Sequence, residues 1–339
     1  MILPTTYWAA LLLAILSMIC WGSWANTFKM TGKWRFELFY FDYSFGVVLA
    51  AVVAAFTLGQ MGTELSFVDN VSVTGKRQLG YALAGGAIFN LANMLLVAAI
   101  SLSGMAVAFP VGIGLALVIG VVWNYYLNPQ GSPTFLFAGV GLVIVAIVLD
   151  ALAYGAHSKA QAEATGKKVK GGTKGIVVSL ISGVLMGSFY PVVELSKVGD
   201  IGLGPYAVAF FFAIGVFGST FVFNIYFMNL PIHGKSVDFG AYFKGTRNQH
   251  LLGVLGGILW CTGAIANFVA ASAPKSVQVG PAVSYALGQG ATMVSALWGL
   301  LVWKEFAGAQ GKVKGLIALM LLLFVAGLTL VSLAPLFKS

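Results

Sequence analysis

Few residues in this sequence could do chemistry, and most of them are carboxamides and aromatics set inside apolar runs. Asn90 and Asn93 lie near one helical face in "GGAIFNLAN". Trp260 and Asn267 fall in "GGILWCTGAIAN", Tyr285 and Gln289 in "SYALGQG", Tyr190 in "GSFYPVV", and Trp21 and Asn26 in "CWGSWANTFK". A carboxamide both donates and accepts, and an aromatic ring stacks on the flat apolar face of a sugar or heterocycle. Together they suit a neutral solute rich in hydroxyl or amide groups. Each residue also has a structural reading. Asn and Ser commonly cross-link membrane helices, and Trp gathers at membrane interfaces. Asn90 and Asn93, matched in character by Asn267, we read as lining a solute site. Trp24 fits an interfacial belt, whereas Trp21, near Asn26 and Asp42, is better placed for an inner gate or solute contact.

Ionisable residues in lipid are costly and demand a reason. A proton-coupled carrier needs a carboxylate that binds a proton more readily once desolvated. Asp42 and Glu194 are the coupling candidates, and a static ion pair or an interface anchor is equally open for each. Lys29 can reach Asp42 at the inner depth, where Asp150 also lies, while Glu194 has Lys197 and Lys275 at its own level. Sodium coupling through unwound backbone carbonyls would leave no trace in sequence. Pro110 and Pro281 open equivalent helices, either as tolerated first-turn residues or as hinges. No nucleophile–base or metal constellation lies at membrane depth. His157, His233 and His250 are in loops or at span edges, and Cys20 and Cys261 are isolated in apolar segments. An enzyme is not expected, nor a cofactor or a metal; the expected coupling ion is H+.

The elements that must position these groups follow from composition. Of 339 residues, 59% are hydrophobic and only 9% charged, and the mean hydropathy is +0.92. Such a chain is solvated by a lipid bilayer. Its net charge of +9 sits between apolar runs rather than on a soluble face, so nucleic acid is not an expected partner. Runs near the spanning length of ~20 residues recur at Tyr7–Phe28, Leu38–Gly59, Leu79–Ile100, Met105–Leu127 and Thr134–Tyr154. They continue at Gly175–Leu195, Leu203–Asn229, Leu251–Ser272, Gln278–Trp303 and Val313–Leu336. The expected fold is an all-α integral membrane protein of ten transmembrane helices. With both termini outside, fourteen of the 19 basic residues face the inner side, which the positive-inside rule favours. Ten spans can enclose a site without a partner chain, so a monomer suffices.

Residues 155–174, mostly Gly, Ala, Ser, Thr and Lys, read as a cytoplasmic linker between two five-helix repeats, 1–154 and 175–339. Gly85-Gly86 and Pro110 recur as Gly256-Gly257 and Pro281 at one shared offset, and "GSW" at Gly22 recurs as "GSF" at Gly187. An odd number of helices per repeat forces the halves to be inverted. Inverted halves are the architecture of alternating access, in which a central site opens to one side and then the other. The alternative is an old duplication kept only for packing. Inversion also places Tyr190 and Glu194 on the side opposite Trp21 and Lys29, as two inverted gates.

On the residues Gly22-Ser23-Trp24, Phe41-Asp42-Tyr43, Gly85-Gly86 with Asn93, and Asn124-Tyr125 before the Asn128-Pro129 turn, the chain resembles the drug/metabolite transporter superfamily. Within it, the resemblance is closest to bacterial glucose/ribose uptake permeases and plant ureide permeases. It implies a secondary transporter that takes up a small polar metabolite, a sugar or ureide-like solute, by proton symport, in the cytoplasmic (inner) membrane of a bacterium. A drug or metabolite exporter of the same superfamily is the rival. An exporter of lipophilic cations needs an acid at mid-depth, and none falls there.

Overall fold

The computed structural model describes residues 1–103, 105–165, 173–199, 201–231, 235–277, 279–309 and 311–337. Every regular element among them is helical. The first half holds α1 (Tyr7–Ser23), α2 (Ala25–Met30), α3 (Phe36–Phe56), the short α4 (Phe67–Val73), α5 (Lys76–Ser103), α6 (Met105–Leu127) and α7 (Pro133–Thr165). The second half holds α8 (Thr173–Leu195), α9 (Pro205–Asn229), α10 (Arg247–Ala271), α11 (Pro281–Gln289), α12 (Ala291–Leu297) and α13 (Gly311–Leu333). A 3-10 turn at Phe239–Lys244 precedes α10, and a π-helical turn at Trp298–Val302 follows α12.

Helix starts satisfy the donors that an α-helix leaves open. The Thr6 hydroxyl accepts from the Ala9 N–H. Thr246 and Gln249 form a reciprocal capping box at α10. Pro205 and Pro281 occupy the opening positions of α9 and α11, where no N–H is missed.

Nine helices among the described residues are long and apolar enough to cross a membrane. They are Tyr7–Met30, Phe36–Phe56, Lys76–Ser103, Pro133–Glu163, Thr173–Leu195, Pro205–Asn229, Arg247–Ala271, Pro281–Val302 and Gly311–Leu336. Of the ten predicted segments, Met105–Leu127 falls outside this set: it forms the 23-residue α6, of which Val111–Leu127 is the stretch whose side chains are all described, and that stretch is apolar. The predicted linker begins at Gly155, yet α7 runs on to Thr165, because Ala, Lys, Gln and Glu there are good helix formers. Residues 166–172 of that linker, Gln278 and His233 lie outside the described residues.

Both termini are tied to one end of the bundle. The Met1 ammonium donates to the carbonyls of Glu64 and Leu65, 3.1 and 3.2 Å away, and Ser132 N–H donates to Ala334 O at 2.9 Å. At the opposite end Arg35 donates to Lys235 O at 3.0 Å and Gln249 to Thr31 O at 3.2 Å.

Small residues let helices touch at backbone distance. A Cβ at Gly85 would strike Val193 of α8, and one at Gly86 the Phe212 carbonyl of α9. In the second half a Cβ at Gly256 would strike Thr27 of α2, and one at Gly257 the Tyr43 carbonyl of α3. Gly22 of α1 abuts Ala291 and Val294 of α12, while Gly187 of α8 abuts Ala116 and Ile119 of α6. So α5 rests on the first two long helices of the second half, and α10 rests on the first elements of the first half.

Candidate functional site

Where these helices converge, a cavity of about 380 Å³ opens between α1, α5, α8, α10 and α12, within the size range of small-molecule sites. Trp21, Phe89, Phe189 and Trp260 wall it at mid-depth, and Trp24, Phe28 and Phe36 carry it towards the Lys29 end. Its polar lining is Asn93, Gln289, Thr292 and Ser295, and no charged side chain among the described residues reaches it. A larger groove of about 890 Å³ near the termini is lined almost wholly by aliphatics such as Leu12, Leu49, Val53 and Ile265. It offers a polar solute nothing.

The aromatic wall is held rigidly. Trp21 stacks on Trp260 at 5.8 Å, with 15° between the ring planes, and its indole N–H donates to Trp260 O at 3.2 Å. Trp260 is backed by Phe89 at 4.2 Å and Phe212 at 5.7 Å. Gly263 and Gly288 make room for the Trp21 ring, which a Cβ at either would meet. Asn93 donates to Tyr40 Oη at 3.1 Å, which fixes its amide and leaves the carbonyl oxygen for a solute. Gln289 makes no side-chain hydrogen bond to the described residues, so its carboxamide is free to donate and accept in the cavity.

Towards the termini a fully buried layer lies behind the stack. Tyr190 Oη donates to Asn267 Oδ1 at 2.6 Å. The Asn267 amide donates to Ser17 Oγ at 3.1 Å and to Ser284 O at 3.0 Å. Ser284 Oγ donates back to Asn267 Oδ1 at 3.0 Å. Tyr285 Oη donates to Met186 O at 3.0 Å. Ser17, Tyr190, Asn267, Ser284 and Tyr285 are each 0% exposed, and together they seal that side as a plug.

The structure therefore sorts the residues singled out in sequence. Trp21, Asn93, Trp260 and Gln289 come together on the cavity. Tyr190, Asn267 and Tyr285 meet in the plug. Asn90, expected beside Asn93, instead donates to Val216 O, Ser219 Oγ and Thr220 Oγ1 at 3.1, 2.8 and 3.1 Å, pinning α5 to α9. Three positions on a helix still differ by about 60°, enough for the neighbouring hydroxyls to capture one amide and not the other. Asn26 donates to Ser23 O at 2.8 Å and accepts from Trp303 Nε1 at 2.6 Å.

Asp42 is nine-tenths buried at the Lys29 end. Tyr242 Oη donates to its Oδ1 and His250 Nδ1 lies against its Oδ2, both at 2.6 Å. Burial and the bond to Asp42 push the Tyr242 phenol pKa up. The expected Lys29–Asp42 pair does not form: Lys29 pairs with Glu305, while Asp42 faces α10 across Gly253, where a Cβ would strike it. Glu194 pairs with Lys197 at 2.6 Å. Pro281 opens α11 after Gly280, and the break in that span comes later, at Gly290 between α11 and α12. Pro110 lies in α6 with its side chain outside the described residues.

Sequence reasoning missed a network at the Lys29 end. Tyr154 Oη donates to Glu305 Oε2 at 2.6 Å, Lys29 lies 4.4 Å over the Trp303 ring, and Trp298 Nε1 donates to Ser23 Oγ at 2.9 Å. Burial draws the Glu305 carboxyl upward, but hydrogen bonds from Lys29 and Tyr154 and the lysine charge outweigh it and hold it below its ordinary value. The network latches α1 and α2 to the π-helical turn. Its signal was the lone acid of "GLLVWKEFAG" at the end of a span.

A family model described as ureide permease matches residues 39–174. The chain is 23% identical to "Ureide permease 2" and 24% identical to "Ureide permease 1" of Arabidopsis thaliana, in each case over 94% of both chains. It is 27% identical to "Probable ureide permease A3" of Vigna unguiculata over 42% of this chain and 39% of that one. A protein of known crystal structure shares the fold with a TM-score of 0.59 at 17% identity, over 97% of this chain and 99% of that one. These similarities support a transporter family, and its members are permeases rather than enzymes. Membrane-spanning helices and this likeness make the chain an integral membrane protein. The named relatives are plant proteins, so they lend no support to a bacterial inner membrane.

Proposed function

We propose that the protein is a secondary active transporter that takes up a small, neutral, polar solute, a ureide-like compound or a sugar, by alternating access with H+ as the coupling ion. The observation that carries this reading is the contrast across Trp260: the free Gln289 carboxamide and the unengaged Asn93 carbonyl in a cavity on one side, a saturated and fully buried plug on the other. A central site sealed from one face is what alternating access requires in one of its states.

The glycine contacts that swap between halves, and the termini gathered at one end, support two inverted five-helix repeats with α6 as a tenth span. The relatives' ureide chemistry suits the cavity. A ureide presents carbonyl acceptors and N–H donors around a compact frame, which Asn93 and Gln289 complement while Trp21 stacks against it. Sugar hydroxyls make the same demands. An exporter of cations would want an acid on the cavity wall, and none lies there among the described residues. Asp42, through His250, and Glu194 are coupling acids in this reading, and one chain suffices to form the site.

The test is uptake of labelled allantoin and labelled glucose into liposomes containing the purified protein, with and without an inward proton gradient. Gradient-dependent accumulation of either is expected. Accumulation of neither, with gradient-driven efflux of an organic cation, overturns the reading.

A further inference from the structure

Asp150, in the middle of α7, is buried to 5% exposure, and its Oδ1 has no hydrogen-bond partner among the described residues. Both oxygens of Asp42 are bonded, and Glu194 is paired with Lys197. Asp150 is thus the buried acid with an orphaned oxygen, and neither the cavity nor the plug uses it. One helical turn on, Tyr154 donates to Glu305 Oε2, and Asp150 itself lies within electrostatic reach of Glu305. The carboxyl therefore lies one turn along α7 from the tyrosine of the latch that ties α2 to the π-helical turn.

We propose that Asp150 is a proton-binding site whose occupancy sets whether the Lys29–Glu305–Tyr154 latch is closed. A buried carboxylate oxygen without a donor has lost the solvation that stabilises its charge. A proton on Oδ1 removes that charge and leaves Glu305 bound to Lys29 and Tyr154. When the proton leaves, Asp150 and Glu305 carry like charges within electrostatic reach of each other, and their repulsion loosens Glu305 from its partners. Release of the latch leaves the π-helical turn tied to α1 and α2 beside the cavity by the two indole bonds to Ser23 and Asn26, a looser connection. Exchange with water runs past Glu305, whose side chain is 31% exposed.

The other titratable groups near Asp150 are few. His157, two turns along α7, is engaged with Gln161 at 3.0 Å. Lys29 acts through Glu305. The α13 helix along α7 brings Lys312 and Lys314 only in its first turn, both exposed, and α6 brings Tyr125 and Tyr126 only near its far end. No group of three or more His, Cys, Asp or Glu among the described residues could hold a metal ion.

This inference deepens the proton-coupled reading and rests on it, yet its first test needs no transport. Infrared difference spectra of the reconstituted full chain, taken between acidic and alkaline pH, are expected to show the carbonyl stretch of a protonated carboxyl that is missing in Asp150→Asn and kept in Asp150→Glu. Absence of that band in the unaltered protein, or its persistence in Asp150→Asn or in the second removal variant Asp150→Ser, overturns the site. The same holds for a band that responds to sodium at constant pH. In liposomes with labelled allantoin and an inward proton gradient, the unaltered protein should concentrate the probe severalfold, and Asp150→Asn should only equilibrate it. Undiminished accumulation by Asp150→Asn overturns the role at the latch. If the unaltered protein carries no allantoin, the functional reading fails while the infrared result still decides the proton site.

Discussion

Asn267 and Gln289 are carboxamides on neighbouring elements of one bundle, yet every polar valence of the first is engaged, while the side chain of the second has no hydrogen-bond partner among the described residues. Asn267 accepts twice at Oδ1 and donates twice from Nδ2, to groups on α1, α8 and α11. Gln289 sits at the break between α11 and α12, and its amide enters the cavity. Residue type does not separate a structural amide from a recognition amide. The supply of partners does: where neighbouring helices offer hydroxyls and carbonyls at the right height, an amide becomes a rivet. Where they offer only aromatic rings, it waits for a solute.

Asn267→Ala should have the largest effect and would break the comparison if it did not. It strips Tyr190 Oη of its acceptor and Ser17 Oγ and Ser284 O of their amide donor in a dry interior, costing about 3 kcal/mol, read as a drop of several degrees in the thermal unfolding midpoint in detergent. Gln289→Ala should do the converse. Stability should change by less than about 1 kcal/mol, whereas the apparent affinity for allantoin in liposome uptake should fall about tenfold through lost hydrogen bonds. A Gln289 variant that unfolds like the Asn267 one would erase the distinction.

The smallest effect concerns the Glu305 latch at the open end. Its carboxyl is held below the ordinary value of 4.5, so Glu305's own protonation takes away the charge that holds Lys29 only as pH falls through the lower, folded-state value. Tryptophan fluorescence from Trp303 should therefore show an acid step below pH 4.5 that Glu305→Gln lacks.

Much of this was legible in sequence. Trp21, Asn93, Trp260 and Gln289 stood out as polar or aromatic residues with no cheap reason to be in lipid, and they line the cavity together. The Gly85-Gly86 and Gly256-Gly257 pairs stood out by offset, and both are sites of close helix approach. Asn90 was harder, because its hydroxyl partners lie on α9, far along the chain. The Lys29 partner was harder still. Asp42 is near in sequence, but the π-helical turn brings in Glu305 from the far end.

The sequence by itself determined that this chain is helical and lives in a membrane, since long apolar runs in lipid can satisfy their backbone groups only within a helix. It also determined where small residues let those helices meet. Only the tertiary structure decided which amides are spent and which are free, which acid holds Lys29, and which acid is left with a bare oxygen. The physical reason is that a side chain's hydrogen-bonding capacity belongs to the residue, while the groups that consume it come from whichever helices pack alongside.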